Sequence, residues 1–193
     1  MSPIRIFILS AIGIVVGGLS LPFAFNTAGR LNAQQQRPER DSKSYFPEVA
    51  GRNINEEKYS LPGGFEGKYN LVLMAFTQRH QSSVNTWLDE VKNLERKYPQ
   101  LRVYELPTLP NFPQWQQQQL DNWMSAGISD PVARERTITL YTDVDAIKEA
   151  LNFSNTSKIR LFLVDRNGKV YWEGEGAYSR EQFKQLSEVV SSL

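Results

Sequence analysis

Six consecutive apolar residues, Leu71-Val72-Leu73-Met74-Ala75-Phe76, set the strongest limit on the fold. In an extended chain, successive side chains point to opposite faces, so this run presents hydrocarbon on both sides at once. A central strand in a sheet covered on both faces satisfies that demand. The next residues supply one cover. Val84, Trp87, Leu88, Val91 and Leu94 recur at three- and four-residue spacing and give a helix one apolar face. Ser82 or Ser83 is predicted to cap its start. Lys92, Arg96 and Lys97 complement the dipole near its end, and Pro99 stops it.

The pattern then repeats with variations. Leu101 to Leu106 reads as a strand, and Pro107, Pro110 and Pro113 break the pattern before a helix around Gln114 to Ala126. The β-branched and aromatic stretch Thr137 to Thr142 is a further strand. Asp143 is placed to cap a short helix that buries Val144, Ile147 and Leu151. Ile159 to Val164 is another core strand, joined through Asp165-Arg166-Asn167-Gly168-Lys169 to Val170-Tyr171-Trp172. Asn-Gly predicts a tight antiparallel hairpin there. Ser179 and Gln182 form a capping-box pattern that opens a helix with Phe183, Leu186, Val189, Val190 and Leu193 on one face. Ahead of all this, Asn53 to Leu61 reads as one short strand ending at Pro62-Gly63-Gly64. The order implies a mixed α/β sheet with helices on both faces.

Residues 1–33 are set apart by composition. From Ile6 to Phe25 the chain carries no charge, and its twenty residues, at about 1.5 Å each, are long enough to cross a bilayer core. Arg5 precedes the run as in a signal peptide, and Asn26-Thr27-Ala28 and Leu31-Asn32-Ala33 are imperfect cleavage sites. Signal peptide and membrane anchor both stay open. An N-in start exports the domain, whereas Arg30, Arg37, Arg40 and Lys43 after the run favour the opposite topology. Residues 34–44 are a polar linker with no apolar periodicity, and residues 45–193 form the globular domain. The expected location is therefore membrane-associated through the N-terminal hydrophobic helix, or exported after cleavage.

The strand–helix start and hairpin–helix finish resemble the thioredoxin-like superfamily, particularly its peroxiredoxin-like branch. Three stretches carry the likeness: Leu61-Pro62 through Gly67 to Leu73, Leu140-Tyr141-Thr142-Asp143, and Leu163 through Val170. The chain departs where the chemistry sits. It has no cysteine, and the slot after the first strand reads Thr77-Gln78-Arg79-His80-Gln81-Ser82-Ser83. Before the penultimate strand, Thr156-Ser157-Lys158 stands where many relatives have a cis-proline. Without a thiolate, peroxidase and disulfide-exchange chemistry fail, as do thiolate zinc and iron–sulfur sites.

Within the superfamily the chain more closely resembles the mitochondrial ATP synthase assembly factor family conventionally numbered ten. Phe76 with Gln81, Trp87-Leu88, Tyr104-Glu105-Leu106-Pro107, Trp123-Met124 and Arg136 through Asp143 carry that pattern. The resemblance implies a chaperone-like role at an energy-coupling membrane, with a membrane-sector subunit of the ATP synthase as partner. It brings no catalytic residues and no cofactor.

Candidate sites follow from what remains. Arg79 and His80, with Gln81, lie near a helix start, where free N–H groups favour an anion or a partner. The plainer reading is an exposed loop histidine beside a solvated arginine. An enzyme using Arg79, His80 and Ser82 is the competing class, but adjacent helix-start residues rarely face one another, and no Asp or Glu within Thr77 to Ser83 orients the ring. No metal site is expected with one histidine, and Asp143 with Asp145 reads as capping. Glu173 and Glu175 look like a hairpin edge. Phe112, Trp115 and Trp123, interleaved with glutamines, are either docking aromatics or local packing of an inserted helix. A formal net charge of +1 lacks the basic footprint of a nucleic-acid binder. An exported or anchored binding protein of unknown ligand is the remaining alternative.

Overall fold

The computed structural model describes residues 45–193; the predicted N-terminal hydrophobic helix and the polar linker lie outside them. Seven strands, β1 (Val49–Asn53), β2 (Lys58–Leu61), β3 (Tyr69–Ala75), β4 (Leu101–Pro110), β5 (Ile138–Thr142), β6 (Arg160–Asp165) and β7 (Val170–Glu175), form one sheet in the order β2-β1-β5-β4-β3-β6-β7. β3 runs parallel to β4, and β4 to β5, while the outer pairings are antiparallel. The helices are α1 (Gln81–Lys97), α2 (Gln114–Gly127), α3 (Pro131–Arg136), α4 (Val144–Ala150) and α5 (Arg180–Ser192).

The apolar run does what its pattern requires. Leu71 and Leu73 of β3 pack with Val84, Trp87 and Val91 of α1 and with Leu186 and Val190 of α5. Val72 and Met74 face the other way, into a second core with Phe162, Tyr104, Leu106 and Ile147 and Leu151 from the α4 segment. Phe46, Leu61 and Phe65 complete that cover from the segments around β2. A smaller cluster of Ile54, Met124 and Ile128 seats α2, and Thr139 of β5 points its hydroxyl at the Met124 sulfur.

Four local expectations differ from the structure. The single strand over Asn53 to Leu61 is a hairpin, β1–β2. The Asn53 side-chain oxygen accepts from the Asn55 and Glu57 N–H groups at 3.0 and 2.9 Å, and that Asx-type bonding reverses the chain. The third strand does not stop before its prolines. β4 leaves β3 at Pro107 and runs beside β5 from Thr108 to Pro110, so one proline falls at the change of neighbour and the other at the strand end. α3 escaped the periodicity; Asp130 caps it, accepting from Ala133 N–H at 2.8 Å, with Pro131 at its first position.

The fourth difference is the β6–β7 turn. Gly168 (φ +85°) alone takes a positive φ there, not both residues of a two-residue turn. The Asp165 carboxylate accepts from Asn167 and Lys169 N–H, and the register shifts at Leu163/Val164. Asp143 and Ser179 cap as predicted. Asp143 accepts from Asp145 and Ala146 N–H, and Ser179 from Gln182 N–H. The Gln182 amide reaches back to both backbone groups of Glu175 and ties α5 to β7.

Candidate functional site

At the C-terminal end of β3 the chain passes through Phe76-Thr77 into a 3₁₀ turn, Gln78–His80, and then into α1. His80 is not an exposed loop residue; it is 8% exposed. Phe76 N–H donates to its Nδ1 at 3.2 Å, and its Nε2 lies 3.2 Å from the Ser157 carbonyl oxygen. With Nδ1 accepting, Nε2 carries the hydrogen and donates to Ser157. The ring therefore bridges the start of α1 to the loop before β6, and both nitrogens are engaged with backbone. Asn155 steadies that loop by accepting from Ser157 N–H at 3.0 Å.

This geometry separates residues that the sequence grouped. Arg79 is exposed and, among the described residues, makes no ion pair, while the imidazole beside it turns inward. No ring nitrogen remains for an anion or for a serine. Ser82 does not cap α1; its hydroxyl donates to the Arg79 carbonyl at 3.1 Å. The residue preceding α1 is His80, with no side-chain cap.

Gln81 points to a group that sequence reading did not select. Its amide donates to Asn85 Oδ1 at 3.1 Å and to Glu105 Oε2 at 3.4 Å. Glu105 shares the inward face of β4 with Leu101 and Val103, and burial pushes its carboxyl up, opposed by the Gln81 hydrogen bond and the Lys92 charge. A carboxylate in phase with Leu101 and Val103 was the available signal. On the opposite side of the sheet, the Arg160 guanidinium lies 5.0 Å from the Phe153 ring centroid and 2.8 Å from Glu175 Oε2. Lys158 bonds the other Glu175 oxygen at 2.6 Å, and that bond holds the carboxyl below its ordinary range. Glu175 is thus an ion-pair partner, and Asp143 and Asp145 are occupied by capping and by Lys148.

The aromatic group divides in two. Phe112 is half-buried, and its carbonyl accepts from the Gln117 amide at 2.7 Å. Trp115 and Trp123 are 69% and 46% exposed, so local packing does not account for them. Met124 does the packing, and Asp121 pins α2 to the sheet through Arg52 and the Tyr141 hydroxyl. Burial, then Asp121, raises the Tyr141 phenol well above its ordinary value. Among the described residues no helix is long and apolar enough to cross a membrane.

Comparison with solved structures establishes the fold. A putative electron transfer protein from Aquifex aeolicus VF5 superposes with TM-score 0.56 at 9% identity, covering 77% of this chain and 95% of that one. BsSco, a member of the Sco family of cytochrome c oxidase assembly proteins, gives 0.54 at 14% identity, covering 78% and 94%. A thiol:disulfide interchange protein from Bacteroides sp. gives 0.51 at 17% identity, covering 77% and 90%. The architecture is thioredoxin-like. No curated protein matches the sequence. The sequence does match the family described as ATP10 protein, over residues 23–193. The chain belongs to that family, the ATP synthase assembly factors.

Proposed function

We propose that this protein is a redox-inactive assembly factor, acting by binding, for the membrane sector of the ATP synthase. One observation carries the non-catalytic reading. The helix start that follows the first core strand has no cysteine, and its only histidine spends both ring nitrogens on backbone groups. The Ser82 hydroxyl donates to the Arg79 carbonyl, and among the described residues no side-chain base is bonded to it. Family membership supports the assembly role, and the uncharged run Ile6 to Phe25 supports work at a membrane, whether as an anchor or as an export signal.

The test is a deletion strain examined for assembled ATP synthase, together with affinity capture from gently solubilised membranes. Reduced assembly, and co-purification of membrane-sector subunits, is expected. Normal assembly with no such co-purification refutes the proposal. Arg79→Ala and Ser82→Ala are expected to complement fully, and loss of complementation by stably folded variants would instead favour an enzyme.

A further inference from the structure

The solvent-facing half of α2 carries two tryptophans and no charge. Trp115, Gln119 and Trp123 follow one another at i, i+4, i+8 along one ridge, about 12 Å from end to end. The other exposed positions of α2 are Gln114, Gln118, Asn122 and Ala126, three amides and a methyl. The only charged residue of the helix, Asp121, is turned to Arg52 and Tyr141, and α2 contains no Lys or Arg. Met124 is buried on the opposite side, so the ridge is held by a seated helix and not by a mobile loop.

We propose that this ridge docks into the headgroup zone of a lipid bilayer. An indole has an apolar body and one N–H donor, which is why tryptophan concentrates at membrane–water interfaces. The amides between the rings hydrogen-bond to ester and headgroup oxygens without a charge to desolvate. With no basic residue on the ridge, the contact is indifferent to anionic lipid and insensitive to salt.

Two rings alone bind a bilayer weakly, and stable attachment takes a second element. The sequence supplies one in the twenty uncharged residues Ile6 to Phe25. Nineteen residues, 26–44, separate that run from the domain and span at most about 68 Å extended, a tether that holds a weak second contact at raised effective concentration. This inference stands apart from the assembly role. A bilayer contact is read without any ATP synthase subunit present.

The composition makes the test selective. The chain has four tryptophans; Trp87 and Trp172 are buried at 0% and 9% exposure, and the hydrophobic run contains none. Emission that responds to quenchers in the lipid or in water therefore reports on Trp115 and Trp123. The full chain is reconstituted in phosphatidylcholine vesicles containing lipid brominated near the glycerol end of its acyl chains, with iodide as the aqueous quencher. Bromolipid quenching is expected in the wild type, reduced in Trp115→Phe and in Trp123→Phe, and lost in the double variant. Iodide quenching is expected to be weak, and neither added salt nor phosphatidylglycerol is expected to change the pattern.

Iodide reaching both rings as freely as it reaches free tryptophan amide overturns the proposal. Shielding from iodide and bromine together also overturns it and assigns the ridge to a protein surface. Bromine quenching that persists undiminished in the double variant overturns it as well, since the buried pair would then be its source.

Discussion

Replacing His80 with alanine removes a brace whose cost follows from its contacts. Phe76 N–H loses its acceptor at 3.2 Å and the Ser157 carbonyl loses its donor at the same distance. A buried donor left unpaired costs about 1–3 kcal/mol. Loss of the ring, which sits edge-on to Phe76 with centroids 6.2 Å apart, adds a cavity term of about 1 kcal/mol. The expected destabilisation is therefore about 3 kcal/mol, a fall in Tm of about 6–12 °C for a domain of this size. Asparagine is the informative second variant. Its side-chain oxygen falls near the position of Nδ1 and accepts from Phe76 N–H, but its amide stops short of Ser157, so His80→Asn should lie between wild type and His80→Ala. Thermal unfolding followed by near-ultraviolet circular dichroism, all variants in one buffer and detergent, measures the order. An alanine variant within about 0.5 kcal/mol of wild type, the usual effect of a plain surface substitution, would refute the bridging role. So would asparagine and alanine variants of equal stability.

Glu105→Gln is expected to stabilise the protein at neutral pH. Burial raises the folded-state carboxyl above its unfolded value, so the native state binds the proton more tightly. Ionisation then costs stability as pH rises from the unfolded value through the folded one, and the cost is constant above both. The gain from glutamine should be full above that window and absent below the unfolded carboxyl value, near pH ~4.3; a gain independent of pH in denaturant titrations would contradict the burial argument. Gly168→Ala should cost more than Gly176→Ala, although both residues sit at positive φ, +85° and +75°. A Cβ at Gly168 would meet the Phe46 carbonyl oxygen at 2.8 Å, whereas at Gly176 the nearest group is the flexible Lys158 chain at 3.5 Å. Both variants carry the left-handed penalty of about 1–2 kcal/mol, so equal shifts in urea midpoint would mean that the Phe46 contact is not maintained.

Elements defined by hydrocarbon periodicity were legible without a structure. β3 and β6 had to be buried on both faces: Leu71 and Leu161 point one way, under α1 and α5, and Val72 and Phe162 the other, toward the α4 segment. Elements defined by one side chain bonding to backbone were not. Asn53 turns a single predicted strand into a hairpin, and Asp130 with Pro131 starts a helix of only six residues, too short to show a period. The Asp-Pro pair was a visible capping signal, whereas nothing local in the sequence shows which backbone groups Asn53 or His80 will reach. Ser157 lies 77 residues from His80, and only the fold brings them together.

The same distinction decides where function can sit. Reading along the chain, Arg79, His80, Gln81 and Ser82 form one cluster; the fold sends them in different directions. His80 turns inward to hold the loop at Ser157, Gln81 turns to Glu105, Ser82 folds back on the Arg79 carbonyl at the surface, and the Arg79 side chain faces solvent. Groups spent on holding two segments together cannot also meet a substrate without giving up that hold. On α2 the division is reversed: Asp121 and Met124 do the holding, and Trp115 and Trp123 are left outside. Burying an exposed indole releases about 25 cal/mol per Å² of apolar surface, so two such rings on a seated helix are a standing free energy for association. The histidine ahead of α1 thus serves as internal bracing, while the largest exposed apolar groups among the described residues sit on a separate helix, α2, where they are open to contact.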